Sequence, residues 1–588
     1  MKFPRDLRKT HVVLSLLFLI ALSYLILVPV FNLVHETLVW GTEDIRLSPE
    51  AEAGQFSLFH WWRILAGSIS SNMFYMPLVN SLIVGFGTSV FSLVIGFVLA
   101  WLAVRTDVPF KGPLSDMAMI PFVLPSWAYA LAWITLFKNE RIGGYMGMFQ
   151  AISGIQVPDW IAYGALPIIV CLSLHYFTLN YNLISSALST MDAQIEEAAE
   201  ITGASRAYIL RRIVFPVITP AVLSAFILTF THSVSSFGGP YFLGTPVRYY
   251  VMSTMVFSAF NNRMYGDAYT LALILMGLVL LALYLNRKVI GTRKSFVTVG
   301  GAGFRSKVTQ LNRRSIIGAG AIMFILVITF LPLVVLLLQT LMRYLGIYSI
   351  DNLTLHFWIG PSDPAFADGQ PGVVMNTGIL SAARNSLSLA FLTAPIASFI
   401  GILIGYAIVK GRGSRISGVL DSVAYAPAVI PSITFGAIYL SMFARPFGPI
   451  PPLYGTFALL VIACTVKTLP TASRAGVSCM MQIGKELEEA AIVAGASWLR
   501  RFRAIVLPLT RKGFLSSFTL VFMSVMRELT LIVMLVTTST NLLTNIAVRY
   551  AEQGYMQHSD AIVLLLCAVT LLVVLVARRT TSEKITGE

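Results

Sequence analysis

Charge is scarce in this sequence. Asp, Glu, Lys and Arg make up 12% of its 588 residues, against about 25% in soluble domains. So few charges cannot clothe an ordinary globular surface, which excludes a soluble fold. Cysteine is scarcer still: Cys171, Cys464, Cys479 and Cys567 are the four present. None is paired at metal-ligand spacing, and Cys171, Cys464 and Cys567 lie in apolar segments. Free buried thiols are expected, with no disulfide framework. The Walker pattern GxxxxGK followed by Ser or Thr is absent from the whole chain. Gly300, Gly301 and Gly303 therefore form no phosphate cradle. No cluster of Asp, Glu, His and Cys suggests a metal site, and no catalytic constellation stands out. A resident metal, a bound cofactor and a membrane-enzyme chemistry all lack support.

Apolar residues are what the chain has in plenty, at 56%. A membrane span needs about 20 of them in a row. Twelve such runs are predicted, near 11–34, 78–104, 114–137, 161–183, 217–236 and 266–285, then 315–341, 385–409, 418–443, 453–473, 510–536 and 559–577. The first is too long for a signal-peptide core and lacks a small-residue cleavage site, so it is read as retained. An even number of spans puts both termini on one side. Most of the 42 Lys and Arg fall in segments sharing that side, which makes it cytoplasmic. The net charge of +15 is then topological, and no nucleic-acid partner is needed. Segment 286–314 is basic, contains glycine and has no long apolar run, so it reads as a cytoplasmic linker. The expected domains are 1–285, the linker 286–314, and 315–588.

The two halves repeat each other. The first carries Glu196, Glu197, Ala198, Ala199, Gly203, Ala204, Ser205, Ile213 and Pro216. The second carries Glu488, Glu489, Ala490, Ala491, Gly495, Ala496, Ser497, Ile505 and Pro508, each 292 positions on. Both follow one spacing: Glu-Ala-Ala, three residues, Gly, nine residues, Ile, two residues, Pro. Asn80-Ser81-Leu82 and Asn385-Ser386-Leu387 open matching spans, Gly96 matches Gly401, and Pro121 and Pro125 match Pro427 and Pro431. Six spans per repeat make the repeats parallel, related by an axis along the membrane normal.

Each repeated loop predicts two short helices meeting at a glycine with positive φ. Ser205 and Ser497 would cap the second helix, and Pro216 and Pro508 suit the first turn of the next span. The small Ala198, Ala199, Ala490 and Ala491 allow another backbone to approach closely. Glu196, Glu197, Glu488 and Glu489 are candidates for ion pairs with a docked subunit. One such loop could be an amphipathic helix lying on the membrane. Two at identical spacing on the cytoplasmic side favour a docking surface used twice.

Polar groups inside spans are candidates for a transport pathway. Under the same offset His175 matches Lys467, and Ser235-Ser236 match Arg527-Glu528. The candidate set is His175, Ser236, Gly238, Gly239, Lys467, Arg527 and Glu528. Bland alternatives accompany each: a packing histidine, a snorkelling lysine, and a mutual Arg527–Glu528 pair. Phe237-Gly238-Gly239-Pro240 reads as a re-entrant outer gate or a plain turn. Asn80 and Asn385 either cap helices at the outer face or line a vestibule. Lys467 with Arg527 would suit an anion.

The doubled Glu-Ala-Ala motif resembles that of permease subunits in binding-protein-dependent ABC importers, in the fused form where one chain supplies both halves. Met526-Arg527-Glu528-Leu529-Thr530 and Ser236-Phe237-Gly238-Gly239-Pro240 are similar to fused ferric-iron-type permeases and their relatives for phosphonates, sugar phosphates, thiamine and polyamines. The resemblance implies an all-α polytopic fold of the type I importer class in the bacterial plasma (inner) membrane. It also implies two copies of an ABC ATPase subunit, which hold ATP and Mg and receive the two motifs as coupling helices. A substrate-binding protein would deliver cargo, and this chain would be no enzyme itself. A twelve-span ion-coupled secondary transporter is the alternative class, and it leaves the two identical loops without a purpose.

Overall fold

The computed structural model describes residues 10–48, 51–191, 193–291, 310–446 and 451–582. Among them helix dominates, and the isolated bridges Val39 to Phe56 and Met342 to Leu353 are the strand-like pairings. Among the described residues nine helices are long and apolar enough to cross a membrane. Three bent pairs bring the number to twelve if each is one span. Most of the linker predicted at 286–314 lies outside the described residues.

Two of the bent pairs correct the reading of the spans 114–137 and 418–443 as continuous, and the third bends at the start of the span predicted at 510–536. Lys111–Val123 and Ser126–Phe137 meet at 84°, and Arg415–Val429 and Ser432–Phe443 meet at 104°. Pro125 and Pro431 sit at these breaks. Proline pushes the residue before it out of the helical region, and Leu124 (ψ 140°) and Ile430 (ψ 121°) are extended. The third pair, Trp498–Leu509 and Arg511–Met526, meets at 69° with no proline at the break.

Two compact units form. One draws on Met1–Arg63, Ala259–Met276 and Trp358–Glu588. In it the helix Thr10–Leu22 packs on Thr377–Lys410 and Arg415–Val429, while Val28–Glu36 packs on Ser432–Phe443. The Tyr439 hydroxyl donates to Leu25 O at 3.0 Å and the Asn32 amide to Ser441 Oγ at 3.2 Å. The first span in chain order is therefore built into the body of the second repeat. The other unit draws on Ile64–Ser258 and Gly277–Phe357. There Arg314–Thr340, the first span of the second repeat, packs on Ser126–Phe137.

The matching sequence features do matching work. A Cβ on Gly96 would stand 2.8 Å from Phe177 O, and one on Gly401 2.5 Å from Ala472 O. Both glycines thus permit a close helix crossing. Asn80 donates to Tyr250 O (2.8 Å), and Ser81 Oγ accepts from Met252 N (2.8 Å). In the second repeat Asn385 donates to Asn541 O (3.0 Å), and Ser386 Oγ accepts from Leu543 N (2.9 Å). Each Asn-Ser pair pins the start of a short helix, Met252–Asn261 or Leu543–Glu552, to the second span of its repeat.

A buried polar cluster ties the first unit together. His60 Nδ1 lies 3.0 Å from Asp267 Oδ1, and its Nε2 lies 3.1 Å from Asp44 Oδ2. Arg63 Nε approaches Asp267 Oδ2 at 3.5 Å, and a Cβ on Gly266 would overlap the imidazole. Burial opposes the charge on His60, but the two carboxylates, Asp267 foremost, outweigh it and push its pKa up to about 9. A histidine raised above its unfolded value of about 6.5 stabilises the fold fully below that pH and loses the contribution as pH rises through about 9. The unfolding temperature of the detergent-solubilised chain is therefore expected to drop between about pH 6.5 and about pH 9 and to level off above it. His60→Gln should start lower at neutral pH and stay flat over that window. Parallel curves for the two proteins would remove the cluster as the cause.

Candidate functional site

Each repeated loop starts with a nine-residue helix, Ala193–Ile201 or Lys485–Val493. Both helices end in the same capped turn. Ala204 N donates to Ala199 O (3.0 Å) and Gly203 N to Glu200 O (2.8 Å). Ala496 N donates to Ala491 O (2.9 Å) and Gly495 N to Ile492 O (2.9 Å). This crossed pair of bonds is the Schellman motif, which needs a left-handed residue after the helix. Gly203 (φ 81°) and Gly495 (φ 75°) supply it. Nothing lies within 4 Å of a Cβ built on either glycine, so the backbone angle, not space, requires them. Ser205 Oγ then accepts from Tyr208 N (3.3 Å) and Ser497 Oγ from Arg500 N (3.4 Å), capping the next helix.

The four glutamates divide into two kinds. Glu197 and Glu489 are exposed, as are Ala198 and Ala490. Glu196 and Glu488 are buried and turned inward. Glu196 pairs with Arg105, itself only 2% exposed, and Glu488 Oε2 lies 2.9 Å from Lys410 Nζ. Arg105 and Lys410 are the last residues of Met76–Arg105 and Thr377–Lys410, matching spans of the two repeats. The expectation that Glu196 and Glu488 face a partner's basic groups is thereby corrected. Each fastens its loop to the C-terminal end of a span.

Two residues of these loops escape a reading of the motif alone. Ile201 and Val493 occupy the same motif position, at the end of each helix, and are 87% and 90% exposed. Each loop thus ends its helix on a nearly bare apolar side chain beside an exposed Glu and an exposed Ala, and the second loop also exposes Leu487 and Ile492. The signal for Ile201 and Val493 is the identical place of an aliphatic residue inside the three-residue gap before each glycine.

Residues 11–290 and 378–580 match the family described as the inner membrane component of binding-protein-dependent transport systems. The chain belongs to this family. The permease is 25% identical over 548 residues to a ferric transport system permease protein of Actinobacillus pleuropneumoniae, covering 90% of this chain and 74% of that one. It is 26% identical over 551 residues to a protein named as a ferric transport system permease of Haemophilus influenzae, covering 90% and 80%. A sulfate transport system permease of Salmonella typhimurium is 29% identical over 206 residues, covering 35% of this chain and 72% of that one. A solved bacterial importer of alginate matches at a TM-score of 0.33 and 17% identity, covering 37% of this chain and 82% of that one. Membership in a binding-protein-dependent family removes the ion-coupled secondary carrier.

The seven pathway candidates of the permease are scattered among different tasks. Lys467 is half-buried, and its ammonium donates to Pro427 O (3.1 Å) and to Ile430 O. These carbonyls lie at the break before Pro431, so the lysine caps a broken helix. His175 stacks on Phe122 at 5.3 Å, with Tyr129 and Tyr176 edge-on. That places it against the matching break of the first repeat, between Val123 and Ser126. Gly238 and Gly239 open a buried helix, Gly238–Gly244, which replaces the plain turn. A Cβ on Gly238 would stand 2.7 Å from the Trp127 Cβ. Ser236 O accepts from Ser253 Oγ (2.6 Å). Glu528 Oε1 accepts from Leu531 N (3.0 Å), and its carbonyl accepts from Thr544 Oγ1 (3.1 Å). Arg527 is the residue that ends the helix Arg511–Met526. Cys171, Cys464 and Cys567 are buried free thiols, and Cys479 is partly buried.

Proposed function

We propose that the permease carries ferric iron inward, delivered by a substrate-binding protein and powered by two ABC ATPase subunits, one on each repeated loop. The observation behind this reading is the identity of the two loops in detail: the same cap, the same inward Glu and the same exposed apolar tip. Two equal tips suit two equal sockets. Both loops lie on the cytoplasmic side with the termini, as the Lys and Arg distribution requires. ATP and Mg belong on the partner subunits, where binding draws the two copies together and hydrolysis releases them. Glu196 to Arg105 and Glu488 to Lys410 would pass that motion into the spans. Exposed Glu197 and Glu489 add little to docking, about 0–1 kcal/mol each. Ile201, Val493 and the alanines carry most of it.

Iron as cargo rests on the two ferric relatives that each cover 90% of the chain. Among the described residues no group of three or more His, Cys, Asp or Glu is arranged so that it could hold a metal ion. The cargo would then pass by transient or indirect coordination. Phosphonates, sugar phosphates, polyamines and thiamine are the other cargoes to compete. Proteoliposomes holding the permease and its ATPase subunits, with binding protein outside, are expected to take up radiolabelled iron only when ATP is enclosed. Uptake of a competitor in place of iron would overturn the cargo. Uptake under an ion gradient without ATP would overturn the coupling.

A further inference from the structure

The two loops lead into their spans differently. In the first repeat Ala207–Val234 runs as one span. In the second, Trp498–Leu509 forms an elbow set at 69° to Arg511–Met526. The break falls at Thr510, whose hydroxyl reaches the carbonyl oxygens of Val506 (2.9 Å) and Leu507 (3.2 Å). Such back-bonding bends helices, and Gly513 follows within a turn and weakens the helix further. Ile218 and Ala221 hold the matching places in the first repeat and do neither.

The elbow, which follows the Glu-Ala-Ala helix in the chain, carries a surface of its own. Ser497, Leu499, Arg500, Arg503 and Ala504 line a cavity of 470 Å³. Ser497, Arg500 and Arg503 recur every third residue and so share one helix face. Arg500 and Arg503 are exposed, and among the described residues neither is in a salt bridge. Two like charges side by side repel, which favours an anion that bridges them. Guanidinium forks match phosphate oxygens in two-point contacts. Further along the elbow Leu507 and Leu509 are 39% and 54% exposed. A basic start followed by bare leucines is the pattern of a segment at the boundary between headgroups and acyl chains. In the first repeat Tyr208 stands in place of Arg500 and Arg212 in place of Ala504. The first repeat keeps two guanidiniums but moves one from the Arg500 place to the Ala504 place, where its long side chain replaces the small one that opens the cavity.

We propose that the elbow Trp498–Leu509 binds the phosphate headgroup of an anionic phospholipid between Arg500 and Arg503, with Ser497 beside it and the acyl chains along Leu507 and Leu509. One repeat then enters the membrane through a lipid-held elbow and the other through a continuous helix. The full chain, purified in detergent and titrated with phosphatidylglycerol, tests this by native mass spectrometry. Arg500→Gln with Arg503→Gln should weaken retention by roughly tenfold or more, because each basic group near an anionic headgroup contributes a several-fold factor. Arg500→Lys with Arg503→Lys should keep most of it. Ala504→Leu keeps every charge but fills the cavity, so it should also weaken binding, and it carries the test if the glutamine pair fails to fold. Arg211→Gln with Arg212→Gln removes the same charge from the first repeat and should change nothing. Equal weakening by that control pair would reduce the effect to general charge and overturn the site. Competition by inorganic phosphate would assign it to a soluble anion. Loss of co-purified ATPase from the glutamine pair in lipid-free detergent would assign the surface to the protein partner.

Discussion

Replacing Ile201 and Val493 by Asp is expected to strip the ATPase subunits from the permease and abolish ATP-driven uptake. Each side chain ends its loop helix and is almost fully exposed, so neither contributes to the chain's own core. A protein keeps such a residue bare at two matching positions when something else covers it. An aliphatic anchor seated in a socket is the kind of residue that dominates an interface. A carboxylate forced into that socket loses its water and finds no partner, at about 2 kcal/mol or more per site. That is roughly thirtyfold in affinity for each loop. With one subunit copy on each loop, as proposed, the losses should multiply. Co-purification and uptake measure the effect, while thermal unfolding of the lone chain should stay within about 0.5 kcal/mol of the parent, as expected of surface changes. Glu197→Gln with Glu489→Gln provides the contrast, with less than tenfold loss. Normal assembly by the Ile201→Asp, Val493→Asp chain would show that the loops are not the dock.

What the sequence made legible was local or repeated. Glycine turns, serine caps and Asn-Ser anchors follow from residue chemistry within a few positions, and each appears twice, so coincidence is small. The spans were legible because hydrocarbon thickness fixes their length. Their breaks were half-visible: Pro125 and Pro431 stand out as punctuation, yet hydropathy runs straight through them. The break at Thr510 has no proline and depends on where a hydroxyl points. The fate of the glutamates needed the third dimension. Glu196 and Glu197 are neighbours in sequence but point about 100° apart on a helix, and composition does not say which turns inward. The partner Arg105 lies 91 residues away. A sharper use of the repeat would have found it, since Arg105 and Lys410 close matching spans just as Asn80 and Asn385 open them. Lys467 was unreadable for a related reason. The carbonyls it caps exist as acceptors only because a helix in another span is broken.

Arg105→Ala is expected to cost far more stability than removal of an exposed charge, about 3–5 kcal/mol. Arg105 and Glu196 have side chains only 2% and 6% exposed. Deleting the guanidinium leaves a carboxylate buried without its counter-ion, and that penalty exceeds anything the intact pair contributes. Lys410→Ala should cost less, because the Lys410 side chain is 22% exposed and water can reach the remaining Glu488 carboxylate more easily. Unfolding of the two variants in detergent measures the difference. The double variant Arg105→Met with Glu196→Gln then separates holding from signalling. It removes both charges and keeps much of the volume, so stability should return to within about 1–2 kcal/mol of the parent. Transport should not return with it. A neutral pair packs but has no charge-assisted bond of fixed direction, and the loop would slip against the span end when the ATPase subunits pull. Uptake several-fold below the parent, with assembly and ATP hydrolysis intact, would mark the buried pair as the lever between loop and span. Full recovery of uptake would make it a structural fastening alone.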